Sequence, residues 1–355
     1  MARFDKDFWR GRRVFVTGHT GFKGSWLCRI LTGAGAVVTG YSLEPPTDPS
    51  LFQVAQLDEG ITHVVGDIRD FDALRAAMTA ADPEVVLHLA AQPIVLTGYE
   101  QPRYTYEANV MGTVNLLEAA RSCPSLKSLL NVTTDKVYFN AERENYGYRE
   151  DDPLDGYDPY SNSKSCSELV THSYAKSFLT AAGIATSTAR AGNVIGGGDF
   201  APNRIVPDCV RAVEAGEPLV IRNPFSTRPY QHVLEPLFAY LTIVQRQWKN
   251  PELAGAYNVG PDDCDCVTTG DLVQLFADKW GEGFSWVNAA ADKDAPHEAN
   301  FLKLDNAKLK QTFDWQPRWH IDEAIAATAE WSRAYLNGED VRPVMDAQIK
   351  EFLEG

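Results

Sequence analysis

Arg12-Arg13-Val14-Phe15-Val16-Thr17-Gly18-His19-Thr20-Gly21-Phe22-Lys23-Gly24 is the stretch whose reading decides the fold of this 355-residue chain. Val14 to Thr17 is a short apolar run of the kind buried in a parallel sheet. Glycines 18, 21 and 24 follow at once, and 25–32 then carries helical spacing. The first glycine permits a tight turn. The others let backbone N–H groups and a helix N-terminus approach a pyrophosphate. The spacing therefore predicts that Gly18, His19, Thr20, Gly21, Phe22, Lys23 and Gly24 surround a dinucleotide. His19 and Lys23 either add positive charge at the phosphates or face solvent.

Outward from this turn the alternation continues. Strands are predicted at 36–41, 62–65, 84–89, 126–132 and 185–190, with helical patterns at 71–81, 99–121 and 160–182. That order predicts an α/β fold with a Rossmann-type doubly wound parallel sheet. Beyond residue 190 the texture changes to a Gly- and Asn-rich stretch and polar breaks, with helices predicted at 207–215, 234–248, 269–280 and 321–336. The expected organisation is an NAD-binding domain over 8–190, with chain crossing back from the second half. A smaller C-terminal substrate-binding lobe over 191–340 and a tail over 341–355 follow. The second strand ends Tyr41-Ser42-Leu43-Glu44, with neither the ribose-binding acid nor an arginine for a 2′-phosphate at its tip, which favours NAD over NADP. Asp67 and Ile68 are placed to touch adenine, and Leu89, Ala90 and Ala91 to line the cofactor.

A net charge of -15 with no basic stripe excludes a nucleic-acid surface. No run of 18 apolar residues and no secretory leader are visible, so no membrane association and a cytoplasmic setting are expected. The six cysteines are scattered, and only Cys264 and Cys266 stand close. No second pair or histidine cluster accompanies them in sequence, so no metal is expected. Asp263, Asp265, Asp292 and Asp294 read as solvated acids, and His88 and His232, inside apolar runs, as core residues.

Tyr160 and Lys164 lie four apart on one helix face. An ammonium beside a phenol lowers the phenol's pKa from about 10. Thr133-Thr134-Asp135-Lys136, at the end of a predicted strand, adds hydroxyl, carboxyl and amine groups to the same region.

With these parts the chain resembles the extended short-chain dehydrogenase/reductase superfamily, through its G-x-x-G-x-x-G turn, Asn109 and the Tyr160/Lys164 pair. Within that superfamily it is similar to the nucleotide-sugar 4,6-dehydratases. The likeness runs from about Phe8 to Trp331 and includes Asp158-Pro159-Tyr160-Ser161 and Gln231-His232-Val233-Leu234-Glu235-Pro236. Most of that family carries Thr-Asp-Glu where this chain has Thr134-Asp135-Lys136; Val137, Phe139 and Tyr230 are further departures. The resemblance implies NAD as cofactor and, through the lysine, CDP-glucose as substrate. It implies Tyr160 as base at the sugar O4, Thr134 holding O4, Lys136 as base at C5, Asp135 as acid at the leaving C6 hydroxyl, and Lys164 supporting Tyr160. Thr133, Tyr160 and Lys164 would also line the cofactor. Gln92, Asn193, Asn203, Arg204, Arg228 and His297 would bind the nucleotide sugar, with Arg190 on the same side. A homodimer built on helices 99–121 and 160–182, and a place in deoxysugar (O-antigen type) biosynthesis, are also implied. The alternatives are another nucleotide sugar, a C4 epimerase, or a non-catalytic dinucleotide sensor.

Overall fold

The structure is a computed structural model describing residues 4–141, 143, 146–221, 223–289 and 302–355. Its strands are β1 (Arg13–Thr17), β2 (Val37–Ser42), β3 (Thr62–Val65), β4 (Val85–His88), β5 (Ser128–Thr134), β6 (Ala185–Ala191), β7 (Val194–Ile195), β8 (Leu219–Ile221), β9 (Thr227–Pro229), β10 (Gln231–His232), β11 (Ala256–Val259), β12 (Cys266–Thr268) and β13 (Trp286–Asn288). Seven of them form a parallel sheet in the order β3-β2-β1-β4-β5-β6-β11. The reversal on either side of β1 makes a crevice at the C-terminal strand ends, where ligands of such sheets bind. The remaining strands pair two by two, β7 with β10, β8 with β13 and β9 with β12.

The glycine turn forms as the spacing predicts, and the helix Phe22–Gly33 begins within it. The single helix expected over 99–121 is divided instead. Helices Val95–Glu100 and Pro102–Tyr106 meet at Gln101, a π-turn spans Glu107–Met111, and Gly112–Ala120 completes the run. Pro102 starts a new helix because it has no N–H to continue the old one. The π-turn inserts an extra residue that turns Asn109 inward. The expected tail contains a helix, Arg342–Glu354, whose Met345 and Phe352 are buried. Phe352 stacks on Phe238 at 5.1 Å.

Chain from the second half completes the sheet layer. β11 extends the sheet beside β6, and the helix Leu234–Lys249 lies on β5 and β6. Gln247 on that helix donates to the carbonyls of Leu129 and Ala185 at 3.1 and 3.0 Å. One apolar core therefore runs from Val14 through Leu237 to Trp331 and Phe352. Among the described residues no helix is long and apolar enough to cross a membrane.

β5 and β6 are buried at every position although β6 reads Ala-Thr-Ser-Thr-Ala-Arg-Ala. Thr188 and Arg190 find their partner in Glu168 of the helix Pro159–Tyr174, while Ser187 donates to Gln247 at 2.5 Å. Glu168 accepts from Thr133 at 2.5 Å, Thr188 at 2.7 Å and Arg190 at 3.0 Å. Arg190 in turn donates to the Tyr138 hydroxyl at 2.8 Å, and Tyr138 donates to Asn258 of β11 at 2.6 Å. Removing one member of such a buried ion pair strands the other charge. Glu168→Leu should lower unfolding free energy by about 3–5 kcal/mol in urea titrations, and adding Arg190→Met should restore much of it. A loss of only about 1 kcal/mol, as for an exposed pair, would contradict this account.

Candidate active site

At the head of β1, Gly18 adopts φ +74°, and a Cβ there would lie 2.6 Å from the backbone nitrogen of Ala90. A Cβ on Gly24 would fall 2.1 Å from the Gly18 carbonyl oxygen. Only glycine lets the turn close this tightly. Gly21, the N-cap of the helix Phe22–Gly33, makes no side-chain cap bond. The first-turn N–H groups thus point, without a side-chain cap, toward the crevice, as a dinucleotide pyrophosphate requires. Thr20 bonds Ser42 at 2.8 Å and the Leu43 carbonyl at 3.0 Å, joining the turn to the β2 tip. Leu89, Ala90 and Ala91 are half-buried at the β4 end.

His19 does not bring a cation to this turn. It is buried, its Nε2 lies 2.6 Å from His63 Nδ1, and burial followed by repulsion from His63 lowers its pKa to about 4. Lys23 does not face open solvent. It is half-buried beside Arg204 and Asp135, and burial followed by Arg204 lowers its pKa to about 8. Asp67 is engaged by Arg69, whose Nε and Nη2 both bond its Oδ2, at 2.9 and 2.6 Å. Ile68 is buried against Gly112.

The reacting groups converge from β5 and the helix Pro159–Tyr174. Asp158 caps that helix by accepting from Ser161 N, and Pro159 occupies its first turn. The helix then presents Tyr160, Lys164 and Glu168 at four-residue spacing, all buried. β5 ends in Thr134, which donates to Asp135 at 2.9 Å and accepts from Lys136 N at 3.4 Å, forming the one-turn helix Asp135–Val137. Ser165 donates to the Val137 carbonyl at 2.7 Å and fixes this turn against the helix.

Asp135 is buried, and burial raises its pKa against the opposing pull of Lys136, Thr134 and Arg228. It forms no ion pair with the half-buried Lys136 among the described residues. Gly192 makes room for it, since a Cβ there would sit 2.6 Å from Asp135 Oδ2. Tyr160 departs from expectation. Burial raises its phenol to about 12; Thr134 and Arg204 pull it down, and Asp135 pushes it further up. Lys164 is engaged elsewhere: its ammonium donates to the Val132 carbonyl at 3.1 Å, and burial followed by Lys23 lowers its pKa to about 7.

Asn109 accepts from Gln92 N at 2.8 Å and donates to Ser163 at 2.9 Å, linking the β4 loop to the Tyr160 helix. The Gln92 side chain, expected at the substrate, is spent inside the protein on Thr105 and Ile94 N. Arg190, expected among the pocket residues, is the buried partner of Glu168. Arg204 lies near Tyr160 and Lys23 and bonds Asp199 at 2.9 Å. Arg228 is buried near Asp135, Asn193 is half-buried before β7, and Asn203 is exposed. His297, Asp292 and Asp294 lie outside the described residues. His88 is a core histidine bonded to Thr17 at 2.7 Å, and His232 is enclosed by Trp26 and Trp319. Asp265 is not solvated as expected: it is buried and accepts from Ile321 N at 2.9 Å, capping the helix Ile321–Leu336. Sequence reasoning missed Glu168 and Gly192. Glu168 was findable, standing four residues past Lys164; Gly192 was not, since its contact with Asp135 is tertiary.

Residues 15–328 match the family model described as GDP-mannose 4,6 dehydratase. The chain belongs to this nucleotide-sugar 4,6-dehydratase family. Within the family, a relative from Salmonella typhimurium named CDP-glucose 4,6-dehydratase is 45% identical, the match covering 98% of each chain. A dTDP-glucose 4,6-dehydratase of Streptomyces antibioticus is 30% identical over 90% of this chain and 92% of its own. The fold matches the crystal structure of Bacillus anthracis dTDP-glucose 4,6-dehydratase in complex with NAD, with a TM-score of 0.75 and 22% identity, covering 94% of this chain and 99% of that one.

The Lys164 shift carries a pH signature. Its pKa is about 7 folded against 10.5 for the free side chain, so between these values the unfolded chain binds the extra proton and stability rises with pH. The full penalty applies below pH 7. Lys164→Met should therefore gain stability relative to the parent at neutral pH, on the order of a few kcal/mol. That gain should vanish toward pH 10.5 in urea unfolding. A pH-independent difference would refute the buried-cation reading.

Proposed function

We propose that the protein is an NAD-dependent hydro-lyase that converts CDP-glucose to CDP-4-keto-6-deoxyglucose, a step of deoxysugar biosynthesis of the O-antigen type. The observation that carries this reading is the buried, pKa-raised Asp135 between Lys136 and the Tyr160–Thr134 pair. An acid kept protonated by burial suits expulsion of a hydroxyl as water. A C4 epimerase has use for Tyr160 and Lys164 but none for such an acid. The choice of CDP-glucose is supported by the 45% identity to a relative of that name.

Gly18, Thr20, Gly21, Phe22, Lys23 and Gly24 would hold the pyrophosphate of NAD, with Ala90, Thr133 and Lys164 along its length. NAD, when bound there, supplies the hydride acceptor and donor. The chain's own residues handle the protons. Tyr160, as its phenolate, takes the O4 proton while Thr134 holds that oxygen; the phenol, raised to about 12 by burial, has first to give up its own proton. The resulting 4-ketone acidifies C5–H, and Lys136 removes that proton. Asp135 passes its proton to the C6 hydroxyl, which leaves as water, and Lys136 returns the proton it took to C5 of the resulting C5=C6 alkene as the hydride is delivered to C6. Arg204 and Asn203 are proposed for the nucleotide-sugar side, and Asn193, Arg228 and His297 for the diphosphate.

A homodimer is part of this reading. Leu96, Tyr99, Tyr106, Met111, Leu169 and Phe178 are large apolar side chains exposed on the two helical runs 95–120 and 159–179, a face suited to a second copy. The six free cysteines suit a cytoplasmic setting.

Incubation of the full chain with NAD and separate CDP-, UDP- and dTDP-glucose should give a 4-keto-6-deoxy sugar with CDP-glucose. Product with UDP- or dTDP-glucose alone would overturn the base assignment, and a C4-inverted hexose that has kept its water would overturn the reaction. Lys136→Ala should slow exchange of the C5 proton with deuterated solvent by about 10²–10⁴-fold. Asp135→Asn should retain that exchange but lose water elimination by a similar factor. Exchange unchanged in Lys136→Ala would remove the base role.

A further inference from the structure

Away from the reacting centre, the fold brings Cys264, Asp265 and His320 together across 55 residues of sequence. Cys264 and Asp265 lie in the short helix Asp263–Asp265 that leads into β12; His320 precedes the helix Ile321–Leu336. Cys264 Sγ is 3.7 Å from His320 Nδ1 and 3.6 Å from Asp265 Oδ2, and the nitrogen and oxygen are 2.9 Å apart. For a tetrahedral ion with bonds of about 2.0–2.3 Å to such donors, adjacent donor atoms stand about 3.3–3.8 Å apart. Two edges of the observed triangle have that length, and the third needs to open by only a few tenths of an ångström.

We propose that Cys264, Asp265 and His320 form a three-ligand site for a divalent ion of the zinc class, open to solvent at the fourth position. The donor set selects the ion. A thiolate and an imidazole exclude the hard cations Mg²⁺ and Ca²⁺ and suit Zn²⁺ or Co²⁺. Asp265 is buried and its second oxygen is held by Ile321 N, so one ligand is already oriented. Cys264 and His320 are exposed, giving the ion a path in. The same three residue types also compose a nucleophilic triad, but the geometry opposes that use. A relay needs one imidazole nitrogen on the thiol and the other on the carboxylate. Here Nδ1 faces both, and the carboxylate touches the thiol directly. Binding breaks the Cys264 S–H bond heterolytically and its proton passes to water; the His320 proton moves from Nδ1, where it faces Asp265, to Nε2 or to water; the freed sulfur and nitrogen lone pairs form the metal bonds, and no electron is transferred.

The site is joined to the candidate active site through β12. Cys266 and Val267 pair with Pro229 and Arg228 of β9, and Arg228 lies near Asp135. A bound ion would tie this strand pair to the helix Ile321–Leu336.

The test is titration of the full chain, stripped with chelator, with Co²⁺. One equivalent should produce thiolate-to-cobalt charge-transfer absorption with tetrahedral d–d bands, and Zn²⁺ should bleach both. Cys264→Ser and His320→Gln should each abolish the charge-transfer band. Cys266→Ser should keep it. Cys264→Ser replaces an exposed thiol with a hydroxyl, so an unchanged melting temperature in the absence of metal verifies its fold. Absence of the band at stoichiometric Co²⁺, its persistence in Cys264→Ser, or its loss in Cys266→Ser would overturn the proposal.

Discussion

The carboxylate of Glu168 holds together the elements on which the reacting groups stand. It is buried, and it gathers donors from β5 and from two positions on β6. Thr133 immediately precedes Thr134 and Asp135; Lys164 lies one helical turn before Glu168. A shift of this carboxylate would move both sides of the centre at once. An isolated charge at this depth would be unfavourable by several kcal/mol, so Arg190 is its obligate partner. The guanidinium carries the tie onward to Tyr138 and Asn258, and so from the first half of the chain to β11 in the second.

Burial sets the protonation states around this tie. The same dry surroundings raise Asp135 and Tyr160 and lower Lys164 and Lys23. Each group is pushed toward its neutral form, because a low-dielectric site penalises every charge. A carboxyl pushed toward its acid form and weakly held ammonium protons suit proton exchange, whereas the raised phenol must lose its proton before it can act as a base. The expectation from sequence, a lysine that directly depresses its neighbouring tyrosine, considered the pair without its surroundings. In the fold, Lys164 finds the Val132 carbonyl and Tyr160 finds Thr134.

Helical spacing, read on its own, hides breaks. The periodicity over 99–121 is genuine, yet Pro102 and the π-turn at Glu107–Met111 divide it, and the division turns Asn109 toward Gln92 and Ser163. The last residues, expected only as a tail, form the helix Arg342–Glu354, in which Met345 and Phe352 are buried. Phe352 is held against the core by its ring contacts with Phe238 and Trp319.

The sequence by itself determined what depends on local order along the chain. It determined the sheet type from alternating apolar runs, the phosphate turn from Gly18, Gly21 and Gly24, and the shared face of Tyr160 and Lys164 from their four-residue spacing. Family likeness added the Thr134-Asp135-Lys136 assignment. Tertiary structure alone decided what depends on long-range approach: Gly192 leaving space for Asp135, His19 neutralised against His63, Arg190 withdrawn to Glu168, and Cys264 and Asp265 meeting His320. The physical reason is that backbone periodicity is written in adjacent residues. Burial, and with it the charge state of every group in the site, is created only when distant segments pack and water is expelled.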